Sequence, residues 1–84
     1  MVTLEPLIPL ARAIAAEAAR LEIPVTVVIG RDRTSVRIEG AALKNWGQRT
    51  LIEGTLTRHR VRHETHMPAA YIVAFPAETH GGDQ

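Results

Sequence analysis

The segment Thr57-Arg58-His59-Arg60-Val61-Arg62-His63-Glu64-Thr65-His66 concentrates the groups of this chain that can hold charge, move protons or ligate a metal. Read as an extended strand, its side chains alternate in direction, so Arg58, Arg60 and Arg62 share one face and His59 and His63 the other. A row of guanidinium groups suits carboxylates and phosphates, which the planar fork grips through paired hydrogen bonds. His59, His63 and His66 fall in the order H-x-x-x-H-x-x-H, with Glu64 beside them. On a helix the first two would share a face, as zinc ligands do. On a strand they stand roughly 13 Å apart, too far to share one ion. The order also departs from the His-Glu-x-x-His pattern of zinc proteases. The expectation is no metal site and no cofactor.

Arg58, His59, Arg60, His63, Glu64 and Tyr71 contain the parts of a small ribonuclease: a base, an acid and phosphate clamps. No nucleophile motif, cofactor loop or paired-carboxylate spacing accompanies them. Histidine titrates near neutral pH without any special environment, so no catalytic residue is assigned. Nucleic-acid binding has a geometric argument, because arginines at alternate strand positions project charge about 6.5–7 Å apart, near the spacing of phosphates. Against it, no helix-turn-helix, RRM or KH signature is visible, and the few aromatics read as core. Protein binding fits the same residues: an arginine-bearing edge strand can meet an acidic surface or add to another sheet. Charge on an edge strand can also serve only to discourage aggregation.

The net charge is +1, but it is unevenly spread. Residues 31–62 carry eight basic groups against three acidic ones, +5, while the flanking segments are both negative. Arg31, Arg33 and Arg37 therefore join Arg58, His59, Arg60, Arg62 and His63 as candidate contact residues. Nine of the ten basic residues are arginine, and the chain also holds 12 alanines. That joint enrichment is what a GC-rich genome produces by itself. There is no cysteine, hence no disulfide or thiolate metal site. No apolar run reaches the roughly 18 residues of a membrane span, and no secretory pattern opens the chain. A cytoplasmic location is the default expectation.

The elements that must position these residues can be read from periodicity. With 84 residues the chain is one domain with a thin core. Leu7, Leu10, Ala11, Ile14, Ala18 and Leu21 recur at helical steps, which predicts a helix over 3–22 with Thr3 as N-cap, its regular part starting near Pro9. Val25–Ile29 and Thr34–Glu39 flank the turn residues Gly30-Arg31-Asp32-Arg33 and read as a β-hairpin, with Val36 and Ile38 facing in and Ser35, Arg37 and Glu39 out. Residues 41–46 suggest a short helix capped by Gly47, with Trp46 plugging one end of the core.

Thr50–His63 reads as a long strand with Gly54 as a bulge, and its arginine-rich half as an arm leaving the core. Glu64–Pro68 is then a return loop, and residues 69–75 the last strand, with Tyr71, Val73 and Phe75 on the core side. No internal repeat is apparent.

The predicted architecture is α+β: a four-stranded, mainly antiparallel sheet with one long N-terminal helix on one face, in the order α-β-β-(short α)-β-β. Residues 1–76 form the domain and 77–84 a flexible tail. The functional expectation is a non-enzymatic binding module. It would be a small regulator or inhibitor, of the kind a phage or mobile element encodes, that engages an acidic surface on a larger cytosolic protein assembly. The alternatives are a nucleic-acid binder using the same arginines and a small ribonuclease. No membrane partner is expected, and a homodimer through an edge strand is open.

Overall fold

A computed structural model describes residues 7–76. The expected N-cap Thr3 and the tail 77–84 lie outside that range. Helix α1 spans Leu7–Arg20, strands β1 and β2 span Thr26–Ile29 and Val36–Glu39, helix α2 spans Trp46–Arg58, and strands β3 and β4 span Arg62–His66 and Tyr71–Phe75. A 3₁₀ turn, Ala41–Lys44, precedes α2. The sheet is antiparallel throughout, in the order β1-β2-β4-β3. The α+β class and the N-terminal helix are as the periodicity predicts, but the sheet is covered by two helices rather than one.

In α1, Leu7, Ile14 and Ala18 are buried and Leu10, Ala11 and Leu21 pack beside them, the stripe the spacing implied. Pro9 lies within the described part of α1, and its ring holds φ near the helical value. Strand β1 pairs with β2 in register Thr26↔Glu39 to Ile29↔Val36. The hairpin turn is closed by Gly30 N–H donating to Ser35 O at 2.8 Å and Arg33 N–H to Gly30 O at 2.9 Å. Val36 and Ile38 are buried as expected, whereas Ser35 is buried rather than outward. Gly40 has φ 148°, and a Cβ there would meet Pro24 O at 3.1 Å and Val25 Cα at 3.3 Å. Only glycine lets the chain leave β2 so close to the start of β1.

The largest correction concerns residues 50–58, expected as the first part of a long strand and found within α2. Asn45 is its N-cap, its side-chain oxygen accepting from Gln48 N–H at 2.9 Å. Ile52, Thr55 and Leu56 form its buried face. Gly47 is not a C-cap and Gly54 is not a bulge: both lie within the helix. Trp46, expected to plug the core, is 72% exposed in the first helical turn. Strand β3 begins only at Arg62, and Glu64–His66, expected in a loop, complete it.

In β4 the buried residues are Ile72 and Ala74, not Tyr71, Val73 and Phe75, which face the other side half-buried. The inner positions lie under the helices, where Ile72 and Ala74 are fully covered. The residues expected to face the core instead form the centre of the uncovered face.

The chain is built as two successive α-β-β units. Both helices end alike: Glu22 (φ 60°) follows α1 and Arg60 (φ 59°) follows α2. Ile23 N–H reaches back to Ala18 O at 2.9 Å, and Val61 N–H to Leu56 O at 2.8 Å, a Schellman ending in each case. Ile14 and Ala18 are matched by Ile52 and Leu56, and Val36 and Ile38 by Ile72 and Ala74, all in one buried cluster. The hairpins join where β2 meets β4 in antiparallel register, Val36↔Ala74 to Glu39↔Tyr71. The repeat is structural, carried by burial pattern rather than by residue identity.

Candidate functional site

The arginines predicted to line a strand do not share one. Arg58 ends α2, Arg60 sits in the left-handed turn and Arg62 opens β3. The reason is backbone: the turn at Arg60 reverses the chain, so alternation along an extended strand does not apply to 58–62. The arm expected to leave the core is absent, because α2 packs on the sheet through Ile52 and Leu56. The arginines nevertheless remain neighbours at one corner, and all three are exposed. Arg58 donates to Thr55 Oγ1 at 3.1 Å, and Thr55 in turn donates to Leu51 O at 3.0 Å, which steadies the guanidinium stem along the last helical turn.

Sheet register brings a second basic group to the same end. The β1–β2 turn follows Ile29↔Val36, Val36 pairs with Ala74, and Ala74 pairs with His63, next to Arg62. Arg31 and Arg33 of that turn are therefore at the end of the sheet where β3 begins. Both are exposed. Among the described residues, salt bridges join Arg20 to Glu17, Arg37 to Glu39 and His66 to Glu64, and none involves Arg31, Arg33, Arg58, Arg60 or Arg62. Asp32 is the acidic residue within the β1–β2 turn. Its Oδ1 accepts Thr34 N–H at 3.1 Å, and that hydrogen bond holds its carboxyl below the ordinary value.

Arg37 belongs elsewhere. Directly paired residues share a face, so the registers place Thr26, Val28, Arg37, Glu39, Tyr71, Val73, Phe75, Arg62, Glu64 and His66 on the uncovered side of the sheet. There the Arg37 guanidinium carbon lies 3.9 Å from the Tyr71 ring centroid, and His66 stacks on the same ring at 4.7 Å with planes 12° apart. The Arg62 guanidinium carbon sits 4.3 Å from the Phe75 centroid. Each contact of this kind contributes on the order of 0.5–1 kcal/mol at an exposed site. The planar cations thus cover the rings that water would otherwise touch.

The histidines are dispersed. His59 is the C-cap of α2, its N–H donating to Thr55 O at 3.1 Å. His63 points to the helix side of β3 with Nδ1 2.9 Å from Val61 O. His66 lies on the uncovered side with Nε2 3.5 Å from Glu64 Oε1. Among the described residues, no group of three or more His, Asp or Glu side chains could hold a metal ion. The acid, base and clamp residues of the ribonuclease constellation are likewise divided, with His63 on one face of the sheet and Glu64 and Tyr71 on the other.

Sequence reasoning missed one feature altogether. Between α1 and α2 a groove of about 280 Å³ opens over the sheet, lined by Leu10, Ile14, Ile52, Leu56 and Val61, with Glu17, Thr55 and His59 as polar members. The hydrogen bond from Arg20 holds the Glu17 carboxyl below its ordinary value, with His59 and Arg58 adding to the effect. The helical period of Ile52 and Leu56 was the one signal that could have revealed the second wall. Comparison with protein-family models, with curated proteins and with solved structures finds no match to this chain.

Proposed function

We propose that the chain is a non-enzymatic binding module, a small regulator or inhibitor that engages an acidic surface on a larger cytosolic protein assembly. The observation that carries this reading is the placement of Arg31 and Arg33 beside the β1 edge and of Arg58, Arg60 and Arg62 beside the β3 edge at the same end of the sheet, none of them in a salt bridge among the described residues. Unpaired, exposed guanidinium groups on a rigid scaffold steer an acidic partner into register and add specificity. The phosphate-spacing argument for nucleic acid needed an alternating strand over 58–62, and the turn at Arg60 removes that basis.

A second reading rests on a separate observation. Tyr71 and Phe75, packed against Arg37, His66 and Arg62, gather on one face the ring and guanidinium groups on which single-stranded nucleic acid can stack. Glu39 and Glu64 on the same face oppose a polyanion, so protein remains the preferred partner.

The test is capture from the native host's lysate by the immobilised chain, with and without nuclease. Protein capture that survives nuclease, declines moderately with salt and is lost on replacing Arg58, Arg60 and Arg62 by Ser supports the reading. Equal capture by the triple variant reduces the corner to a solvated surface. Nuclease-sensitive capture, with a log–log salt slope near −2 to −3 from three phosphate contacts, replaces protein by nucleic acid.

A further inference from the structure

The two edges of the sheet differ in kind. Edge strand β3 carries Arg62, His63, Glu64 and His66, the charge that usually keeps an edge from pairing. Edge strand β1 carries none: from Ile23 to Gly30 the chain is Ile-Pro-Val-Thr-Val-Val-Ile-Gly. Its hydrogen-bond phase is fixed by Gly30, which bonds to Ser35 across the hairpin. Bonded and non-bonded pairs alternate along an antiparallel ladder. Thr26 and Val28 therefore use their backbone groups on β2, and the N–H and C=O of Val25, Val27 and Ile29 point outward, away from the sheet.

Beside that edge lies a shallow hollow of about 550 Å³ between β1 and α1, lined mainly by Ala15, Ala18, Ala19, Ile23, Val25 and Val27. Strand addition needs both features: outward backbone groups for the ladder, and a recess for the alternate side chains.

We infer that β1 is a self-association edge, pairing antiparallel with β1 of a second copy about a two-fold axis at Val27. Three observations select this occupant. A sheet whose helices stay on one side requires residues of like face to pair. Pairing Val27 with its own copy, and Val25 with Ile29, meets that condition and uses only the outward-pointing backbone groups. Every side chain in the pairing is uncharged. The flanks are also complementary in net charge: Glu22 precedes the strand, and Arg31, Asp32 and Arg33, together +1, follow it. An antiparallel copy brings Glu22 of one chain beside the net positive Arg31-Asp32-Arg33 turn of the other, twice, whereas a parallel copy sets like beside like. The result is a continuous eight-stranded sheet whose two uncovered edges are both the charged β3.

The test uses the full chain. Sedimentation over increasing concentration should show twice the 9.2 kDa chain mass. Amide exchange followed residue by residue should slow with concentration at Val25, Val27 and Ile29, while Thr26 and Val28 are protected at every concentration. Val27→Pro removes an outward donor that β2 does not use, and should weaken the dimer by about 10- to 100-fold through the loss of a symmetric pair of hydrogen bonds. Glu22→Arg should weaken it too, and Glu22→Arg with Arg31→Glu should restore it. If Val27→Pro fails to fold, the alternation of amide exchange in the unaltered chain decides. A monomer at concentrations up to about 1 mM overturns the proposal and leaves the edge to a foreign strand. Protection that appears along β3 instead, or a charge exchange that restores nothing, overturns it as well.

Discussion

Arg60 occupies a backbone position that glycine fills more readily. Its φ of 59° follows α2, and a side chain in that left-handed region costs about 1–2 kcal/mol. Part of that is offset by the greater freedom glycine gives the unfolded chain, so Arg60→Gly should raise stability by about 0.5–1 kcal/mol. The urea midpoint should rise while partner capture falls; a variant that captures as well as the parent assigns Arg60 no contact role. Asp32 offers a pH-dependent counterpart. Its carboxyl is held below the ordinary 3.8 by Thr34 N–H, so it stabilises the β1–β2 turn above that value. The contribution is lost as the pH falls through the lowered folded value. Thr34 amide exchange, corrected for its intrinsic pH dependence, should accelerate in that acidic window, and Asp32→Asn should flatten the response.

At the scale of elements, α2 is the test of the interior. Ile52 is 2% exposed, and Ile52→Ala should cost about 2–5 kcal/mol, as should Ile14→Ala in α1. A denaturation midpoint unmoved by either would remove that helix from the core. Helix α1 and the β1–β2 hairpin were legible because each obeys one period: Leu7, Ile14 and Ala18 for the helix, Val36 and Ile38 against Arg37 and Glu39 for the strand.

Helix α2 was not legible, because Gly47, Thr50, Gly54, Thr55 and Thr57 favour turns and strands. Only Ile52 and Leu56 carry its apolar face, and tertiary burial outweighs the weak local preference. Asn45 followed three residues later by Gln48 was the overlooked start signal. The inward face of β4 was ambiguous for another reason. Both faces are apolar, and size favoured Tyr71, Val73 and Phe75, while the space under the helices admits Ile72 and Ala74. Of the site, the clustering of Arg58, Arg60 and Arg62 was readable from sequence proximity alone. Their placement at the same end of the sheet as Arg31 and Arg33 was not, because it depends on strand order.

Over the whole molecule, the two α-β-β units share one interior. Val36 and Ile38 of the first unit and Ile72 and Ala74 of the second lie in the same buried cluster, joined by the β2–β4 ladder. Neither hairpin has an inner layer of its own. Ile14→Ala and Ile52→Ala should therefore each displace a single transition, with far-ultraviolet dichroism and amide exchange losing structure together. A separate early transition in either variant would mean that the halves are independent.

The position of Trp46 has a spectroscopic consequence. The chain has one tryptophan, and 72% of its surface meets solvent in the first turn of α2. Its indole is already hydrated in the native state, so its emission should be red and nearly indifferent to unfolding. The same blindness makes it a clean reporter of events at the surface. A blue shift on adding another molecule would mark contact near Asn45, remote in sequence from the arginine corner, without interference from the interior.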